Sequence, residues 1–506
     1  MACRKVICRL SASHGPIILA VVATYAVYSL ACPPTLRPPG PRGFPIVGNA
    51  FQMPQGHEWL RYAQWGTQYG PLVYLRLFTQ NVYVVNAYHV ASEILDKNSS
   101  KSADRARAQV MVGELIGWNK GLAFSPAGPR HREYRKLLSS SLNSNAARRL
   151  SSLQQSSAVQ LLRALIDSPQ QLRDHIRDSI SSNTVNIVFG EQISTPDFDY
   201  IALADDAHYK FALAATPYRY AVDFFPPLKY LPSWFPGAAF KRQARQWRAE
   251  LEHLVYTPYN IVKERVARGV ASPSYVSNCI GASSADKLAK AKEEAIMWTA
   301  ASLYTGGTDT TIAGILSFFL AMSLHPDVQR RGREEILGHI GTERLPTLDD
   351  KPSLPYIEAI VKEVLRWNGI APSGIAHRTN DTIIYENYEI PPGSTIITNI
   401  WGMTHDESVY KDPFTFNPER FLGAAPEHDP TTLAFGFGRR VCPGSHLALQ
   451  SLFINIALVL ATMMIEPDGE RPEVRYTSGI ISQPEPFKCR IRPYSEAAKE
   501  LIMQAD

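Results

Sequence analysis

The apolar positions of this chain gather into three long runs set among amphipathic helical patterns and a few alternating stretches. The first run, GPIILAVVATYAVYSLAC from Gly15 to Cys32, holds no charge and is long enough to cross a bilayer as a helix. The second, from Glu293 to Pro326, reads EEAIMWTAASLYTGGTDTTIAGILSFFLAMSLHP. It is almost free of charge after its first turn, which predicts a helix buried along most of its course. The third predicts an apolar helix over His446–Ile465. Two short pieces favour strands: PLVYLRLFTQNVYVVN (Pro71 to Asn86), and TIIYENYEIPPGSTIITN (Thr382 to Asn399), which has the form of a hairpin. Beyond Gly48 there is no second linker and no repeat. The pattern therefore predicts one large, mainly α body with small β-sheets, not a doubly wound sheet.

The N-terminal run admits two readings. SLAC, from Ser29, offers small residues at a plausible signal-cleavage site. The adjoining PPTLRPPGPRGFPIVGN, from Pro33, favours a retained anchor, because it is too rich in proline to be helical and reads as a stiff spacer. The expected organisation is an N-terminal segment (1–14), a transmembrane helix (15–32), a proline-rich hinge (33–50) and a catalytic body (51–506). Arg4, Lys5 and Arg9 precede the apolar run, so charge alone would place the body on the lumenal side. The sequons at Asn98 and Asn380 matter only in that orientation.

Composition narrows the function. A net charge of +5 over 506 residues is modest and the basic residues are scattered, which gives no support to nucleic-acid binding. The 6 cysteines form neither a C-x-x-C pair nor a dense framework, so a reducing, cytosol-facing body fits better than a disulfide scaffold.

Three local patterns break the rules of ordinary packing. Gly306 and Gly307 sit inside a helix, where each costs about 1 kcal/mol relative to alanine. They let a ligand approach the backbone or let the helix widen, and Asp309, Thr310 and Thr311 add an acid and hydroxyls able to pass protons. Glu363 and Arg366 share a helical face, and Arg420, in PERF, offers a second guanidinium to the same carboxylate. In AFGFGRRVCPGSHLALQ (Ala434 to Gln450), Cys442 stands between arginines and a Pro-Gly pair at the mouth of an apolar helix. A phosphate loop lacks its strand and third glycine here, and an inert thiol leaves Arg439, Arg440 and Gly444 without a purpose. A thiolate ligand accounts for all three, because helix-terminal N–H groups stabilise the sulfur anion. A single thiolate suits haem better than zinc or an iron–sulfur cluster.

These residues resemble the cytochrome P450 superfamily of haem-thiolate monooxygenases, microsomal type, over nearly the whole chain. The likeness rests on Phe435-x-x-Gly438-x-Arg440-x-Cys442-x-Gly444, Glu363-x-x-Arg366, Pro418 to Phe421, and Gly306 to Thr311. It implies the P450 fold and haem b, with Cys442 as the proximal iron ligand. It further implies that Asp309 and Thr310 deliver protons during oxygen activation, and that Arg440, His377 and Arg132 anchor the haem propionates, with Arg378 as a further partner. Glu363, Arg366 and Arg420 become structural. The usual tryptophan of the Trp-Arg-x-x-Arg element is replaced by His131, ahead of Arg132 and Arg135; a ring N–H still reaches a propionate, with an anchoring expected to depend on pH.

No flavin or nicotinamide domain is present, so the resemblance implies electrons from NADPH through a separate reductase in the same membrane, docking near Arg135, Lys136, Arg439 and Arg440. Together with the anchor it implies a single-pass endoplasmic reticulum protein with its body in the cytosol. The substrate pocket is expected from the stretches Ala106 to Trp118, Phe211 to Phe225 and Ala371 to Ile375, with Ser302, Thr305, Gly306, Ala371 and Ser373 in contact. Its apolar and aromatic make-up favours hydroxylation of a hydrophobic, terpenoid-like molecule, and VDFFPPLKYLPSWFPG (Val222 to Gly237) looks like fungal members that tailor secondary metabolites. Two alternatives stay open: a haem-thiolate isomerase or dehydratase without oxygen activation, and a non-enzymatic haem-binding protein.

Overall fold

The computed structural model describes residues 37–106, 110–190, 193–194, 198–215, 219–282 and 289–505; the expected membrane helix at 15–32 lies outside them. The principal helices are α1 (Glu58–Tyr69), α2 (Pro129–Leu142), α3 (Ser151–Asp167), α4 (Leu172–Phe189), α5 (Tyr200–Ala215) and α6 (Ala239–Ala267). They continue as α7 (Lys290–Leu324), α8 (Pro326–Ile340), α9 (Pro355–Trp367), α10 (Ser445–Thr462) and α11 (Glu496–Gln504). Proline at the first position starts α2, α8 and α9, where its missing N–H would have had no partner in any case.

Helix α7 is 35 residues long and organises the rest. At 1.5 Å per residue it spans roughly 50 Å. Every residue from Thr311 to Leu324 is buried, as an all-apolar circumference requires. Its partner α10 is buried from Ser451 to Leu460. Both are long and apolar enough to cross a membrane, yet 78% and 61% of their most apolar windows are buried within the protein, so the fold itself covers them. The two helices meet where a Cβ on Gly314 would lie 2.8 Å from Leu452 Cδ2, a contact only glycine allows without displacement.

Helix α10 ends at Thr462, short of the expected Ile465, because α8 captures its terminus. Arg333 donates to the carbonyls of Leu460 and Met463, and Gln329 pairs with both the N–H and the carbonyl of Ile465. Met463–Pro467 becomes a strand instead (β8, paired with β9, Cys489–Pro493).

The main sheet has the order β1-β2-β7-β4-β3. Strands β1 (Leu72–Leu77) and β2 (Gln80–Val85) form a hairpin. The late β-rich stretch divides: β5 (Ile383–Tyr385) and β6 (Tyr388–Ile390) make a small hairpin, while β7 (Thr395–Thr398) joins the main sheet parallel to β2. Strands β3 (Asp104–Arg105) and β4 (His377–Arg378) pair antiparallel, placing Arg105 opposite His377 and Asp104 opposite Arg378. The described part of the proline-rich hinge is no free spacer. Pro39 O accepts from Tyr74 N, Val47 O from Phe78 N, and Asn49 Oδ1 from Arg76 N, which docks it along β1.

Candidate functional site

Cys442 is fixed by the loop that precedes α10. Its N–H donates to Phe435 O at 2.8 Å, closing the loop on itself. Gly438 makes that loop possible: its φ is +56°, a Cβ there would fall 2.0 Å from Leu95 O, and its N–H reaches Asp96 Oδ1 at 2.6 Å. Gly444 has no such steric need, since its Cβ would meet only Cys442 Sγ, at 3.9 Å; its N–H donates to that sulfur instead. Burial raises the Cys442 thiol above its ordinary value, and the Gly444 amide and the nearby Arg135 oppose the rise. An adjacent cation and an aimed N–H are what a thiolate needs once it has a metal to bind.

Around this loop the fold gathers cations with few counter-charges. Arg440 is buried and donates to the carbonyls of Ala103 (2.6 Å) and Ser125 (2.8 Å). Arg105, from β3, donates to Ala123 O at 2.8 Å and to Ile375 O. Burial together with their mutual repulsion lowers Arg105 to about 9, and burial above all brings Arg440 to about 10. His377 sits beside them with Nδ1 on Ser102 O, and its value is driven well below the ordinary one by burial and by Arg105. His131 is buried on α2 and pushed down to about 3 by burial and then by Arg440, Arg135 and Arg105. These cations disfavour a charged ring until carboxylates offset them. Asp104 is the carboxylate among them, accepting from Ala127 N and lying 3.5 Å from Arg378 Nη1. Buried guanidiniums in such excess call for added negative charge, and a group bearing two carboxylates fits.

One of the expected anchors differs from this arrangement. Arg132 points to solvent. One helical turn along α2, Arg135 takes the inward place, donating to Val441 O and interacting with Cys442. Arg105 was missed because the sequence gives no sign of it; only the pairing of β3 with β4 brings it to His377.

The opposite wall is α7. Gly306 is exposed although it lies within a buried helix, and a Cβ there would meet nothing within 4 Å, so it faces open space. The helix remains regular α through Gly306 and Gly307, which favours close approach of a ligand over widening. Thr310 Oγ1 donates to Gly306 O at 2.7 Å, and Asp309 Oδ2 lies 3.1 Å from His208 Nδ1 on α5. Thr305 is half-buried on this face. Ser302, expected as a substrate contact, is already committed: it donates to Trp298 O at 2.6 Å and accepts from Leu122 N at 3.0 Å, pinning the 118–124 loop to α7. Phe124 of that loop and Trp118 close on Phe211 of α5 at 5.4 and 5.0 Å. Ala371 is half-buried, and Ser373 Oγ is buried with no protein partner.

Behind the loop, Arg366 forks onto Glu363 at 2.7 and 2.8 Å, and Arg420 Nε reaches the same carboxylate at 3.3 Å. Glu427, which no sequence motif points to, balances the second guanidinium at 2.6 Å. The remaining guanidinium donors hold the carbonyls of Thr404, Lys411, Pro413 and Thr415, fixing the loop that leads toward Cys442.

A cytochrome P450 family profile matches residues 38–491. The chain is 38% identical over 497 residues to cytochrome P450 monooxygenase claR of Ampulloclitocybe clavipes, covering 96% of this chain and 92% of the relative. It is 36% identical over 479 residues to cytochrome P450 monooxygenase ppsD of Aspergillus oryzae (92% and 90% covered). Tryptamine 4-monooxygenase of Psilocybe cyanescens is 37% identical over 474 residues (91% and 93% covered). With the thiol loop, the cation cluster and the glycine-opened helix in one structure, and this likeness along nearly its whole length, the chain belongs to the cytochrome P450 family: a monooxygenase with a haem-iron cofactor that takes its electrons from a separate redox partner.

Proposed function

We propose that this protein hydroxylates a hydrophobic small molecule, terpenoid in character, in fungal secondary metabolism, with Cys442 as the residue that would hold the iron of haem b. The observation that carries the reading is the environment of Cys442, a sulfur receiving the Gly444 N–H, with Arg135 beside it and a buried excess of cations around its loop. Arg440, Arg105, His377, His131 and Arg135 are the groups that would hold the propionates; Phe435, Gly438 and Gly444 shape the sulfur's surroundings, and Arg378 shares Asp104. When bound, the haem supplies oxygen activation at its iron. On the other wall Gly306 leaves room for a ligand, Thr310 holds a hydroxyl there, and Asp309 carries a proton. Thr305, Ala371, Ser373, Phe124 and Phe211 orient the substrate by shape and exclude water from it.

Membrane attachment through the 15–32 helix, with the catalytic body from residue 51 in the cytosol at the endoplasmic reticulum, is supported by exposed aromatic residues. Phe51 is 80% exposed, Trp234 78% and Tyr230 77%. Phe225 packs on Phe78 at 6.2 Å, close to where the hinge docks along β1. Such residues favour a membrane interface. Arg132, Lys136 and Arg439 are exposed and suit an acidic NADPH-dependent reductase, whereas Arg440 is buried and does not reach such a partner.

Spectral titration with terpenoid and aromatic metabolites, followed by turnover of each binder with reductase and NADPH, tests this reading. A product one oxygen atom heavier, formed only with NADPH and O2, is the expected result. Rearrangement without NADPH would favour the isomerase alternative, and binding with no oxidation under any condition the non-enzymatic one.

A further inference from the structure

We propose that His208 is the relay that supplies Asp309 with its proton. The proposal rests on the functional reading above, in which Asp309 serves oxygen activation. Asp309 does not turn toward the Thr310 hydroxyl, which is already donating to Gly306 O. Its Oδ2 meets His208 Nδ1 at 3.1 Å, and the histidine side chain is 16% exposed against 43% for the aspartate. The imidazole thus ties this carboxylate on α7 to α5.

The groups beyond the ring make a relay of it. Asp205 stands one turn earlier on the same helix, and its carboxyl is raised by burial while Arg177, Asp309, His208 and Asp178 all act on it. Arg177, on α4, lies 3.9 Å from Asp205 and 3.4 Å from Asp178, whose side chain is 63% exposed. On α7, Tyr304 is fully buried and feels both Asp205 and Asp309. Asp309 touches this ring and Asp205 of the same helix interacts with it, while Arg177 and Asp178 of α4 act on Asp205 and Tyr304 of α7 feels both carboxylates. Among them His208 is the group able to gain a proton on one nitrogen while losing another from the second. The step balances with water as the outer proton donor: Nδ1–H passes to Asp309 Oδ2 as Nε2 takes a proton from water, and tautomerisation through water returns the ring to its Nδ1–H form. Because His208 belongs to α5, which also carries Phe211, the same helix that contacts substrate governs the proton supply.

The test uses the full-length holoprotein. In the ferrous carbonyl form, which is diamagnetic, 15N-histidine spectra should show the proton of His208 on Nδ1, and Asp309→Asn should shift that resonance. This measurement needs no variant of His208. In His208→Gln the amide can still donate to Asp309 but cannot relay. Its carbonyl spectrum should match wild type, while the fraction of consumed O2 recovered as product falls by roughly tenfold or more, with the deficit as peroxide and a larger H2O/D2O rate ratio. A Gln variant as well coupled as wild type, or a His208 proton resident on Nε2, overturns the relay. A wild-type protein without the carbonyl band would overturn the haem reading beneath it.

Discussion

Single residues in this protein are held by needs that can be measured one at a time. Gly438→Ala forces a methyl group against the Leu95 carbonyl at a backbone angle that only glycine accepts freely. We expect a loss of about 1–3 kcal/mol in unfolding free energy and weaker haem retention, because the same loop presents Cys442. Glu363→Gln leaves Arg366 and Arg420 buried against a neutral amide, and a cost of about 3–5 kcal/mol is expected by urea unfolding. Glu427→Gln should cost less, since that side chain is partly exposed. Thr310→Ala should allow oxygen consumption to continue while product falls and peroxide rises. The sequence made such residues legible where their partners lie close along the chain, as with Glu363 and Arg366 on one helical face. It concealed Arg105, the inward role of Arg135, and His208, whose significance depends on strand register, on which side of α2 turns inward, and on α5 crossing α7. Arg132 and Arg135 are alike as residue types, and only the packing of α2 decides between them.

At the scale of elements, periodicity and apolarity located the main supports but not their ends. The long helix expected over Glu293 to Pro326 is α7, and the early β-rich stretch is the β1–β2 hairpin. Helix α10 stops before the apolar pattern does, because Arg333 and Gln329 of a separate helix claim its last carbonyls and the strand beyond it. No local pattern records such a capture. The crossing of α7 and α10 is the tightest point of this framework. Gly314→Val should overpack it, at a cost of about 1–3 kcal/mol. Short of that crossing, Gly306 on α7 is exposed and Ala448 and Leu449 on α10 are only half-buried, so the two helices leave room between them. Strain at Gly314 should therefore lower substrate affinity as well as stability, which spectral titration of the variant would show.

The molecule as a whole buries histidines away from the cation cluster, and these set the sign of its acid response. Burial and then Arg366 bring His405 down to about 3, and burial lowers His325. The unfolded chain therefore binds more protons than the folded one, and stability falls as pH drops from about 6.5 toward those lowered values. Each ring adds a slope of up to about 1.4 kcal/mol per pH unit in that window. Urea midpoints between pH 7.5 and 4.5 should fall steeply, and His405→Gln, remote from the cation cluster, should remove about one proton from the slope. An unchanged slope would mean that His405 is charged in the folded state. The proposed chemistry rests on Cys442 holding the iron through its sulfur, and the carbonyl difference spectrum of the dithionite-reduced protein tests that directly. Wild type should show the red-shifted band of thiolate ligation and Cys442→His should lose it; a wild type without that band, or a Cys442→His variant that keeps it, would contradict thiolate ligation by Cys442.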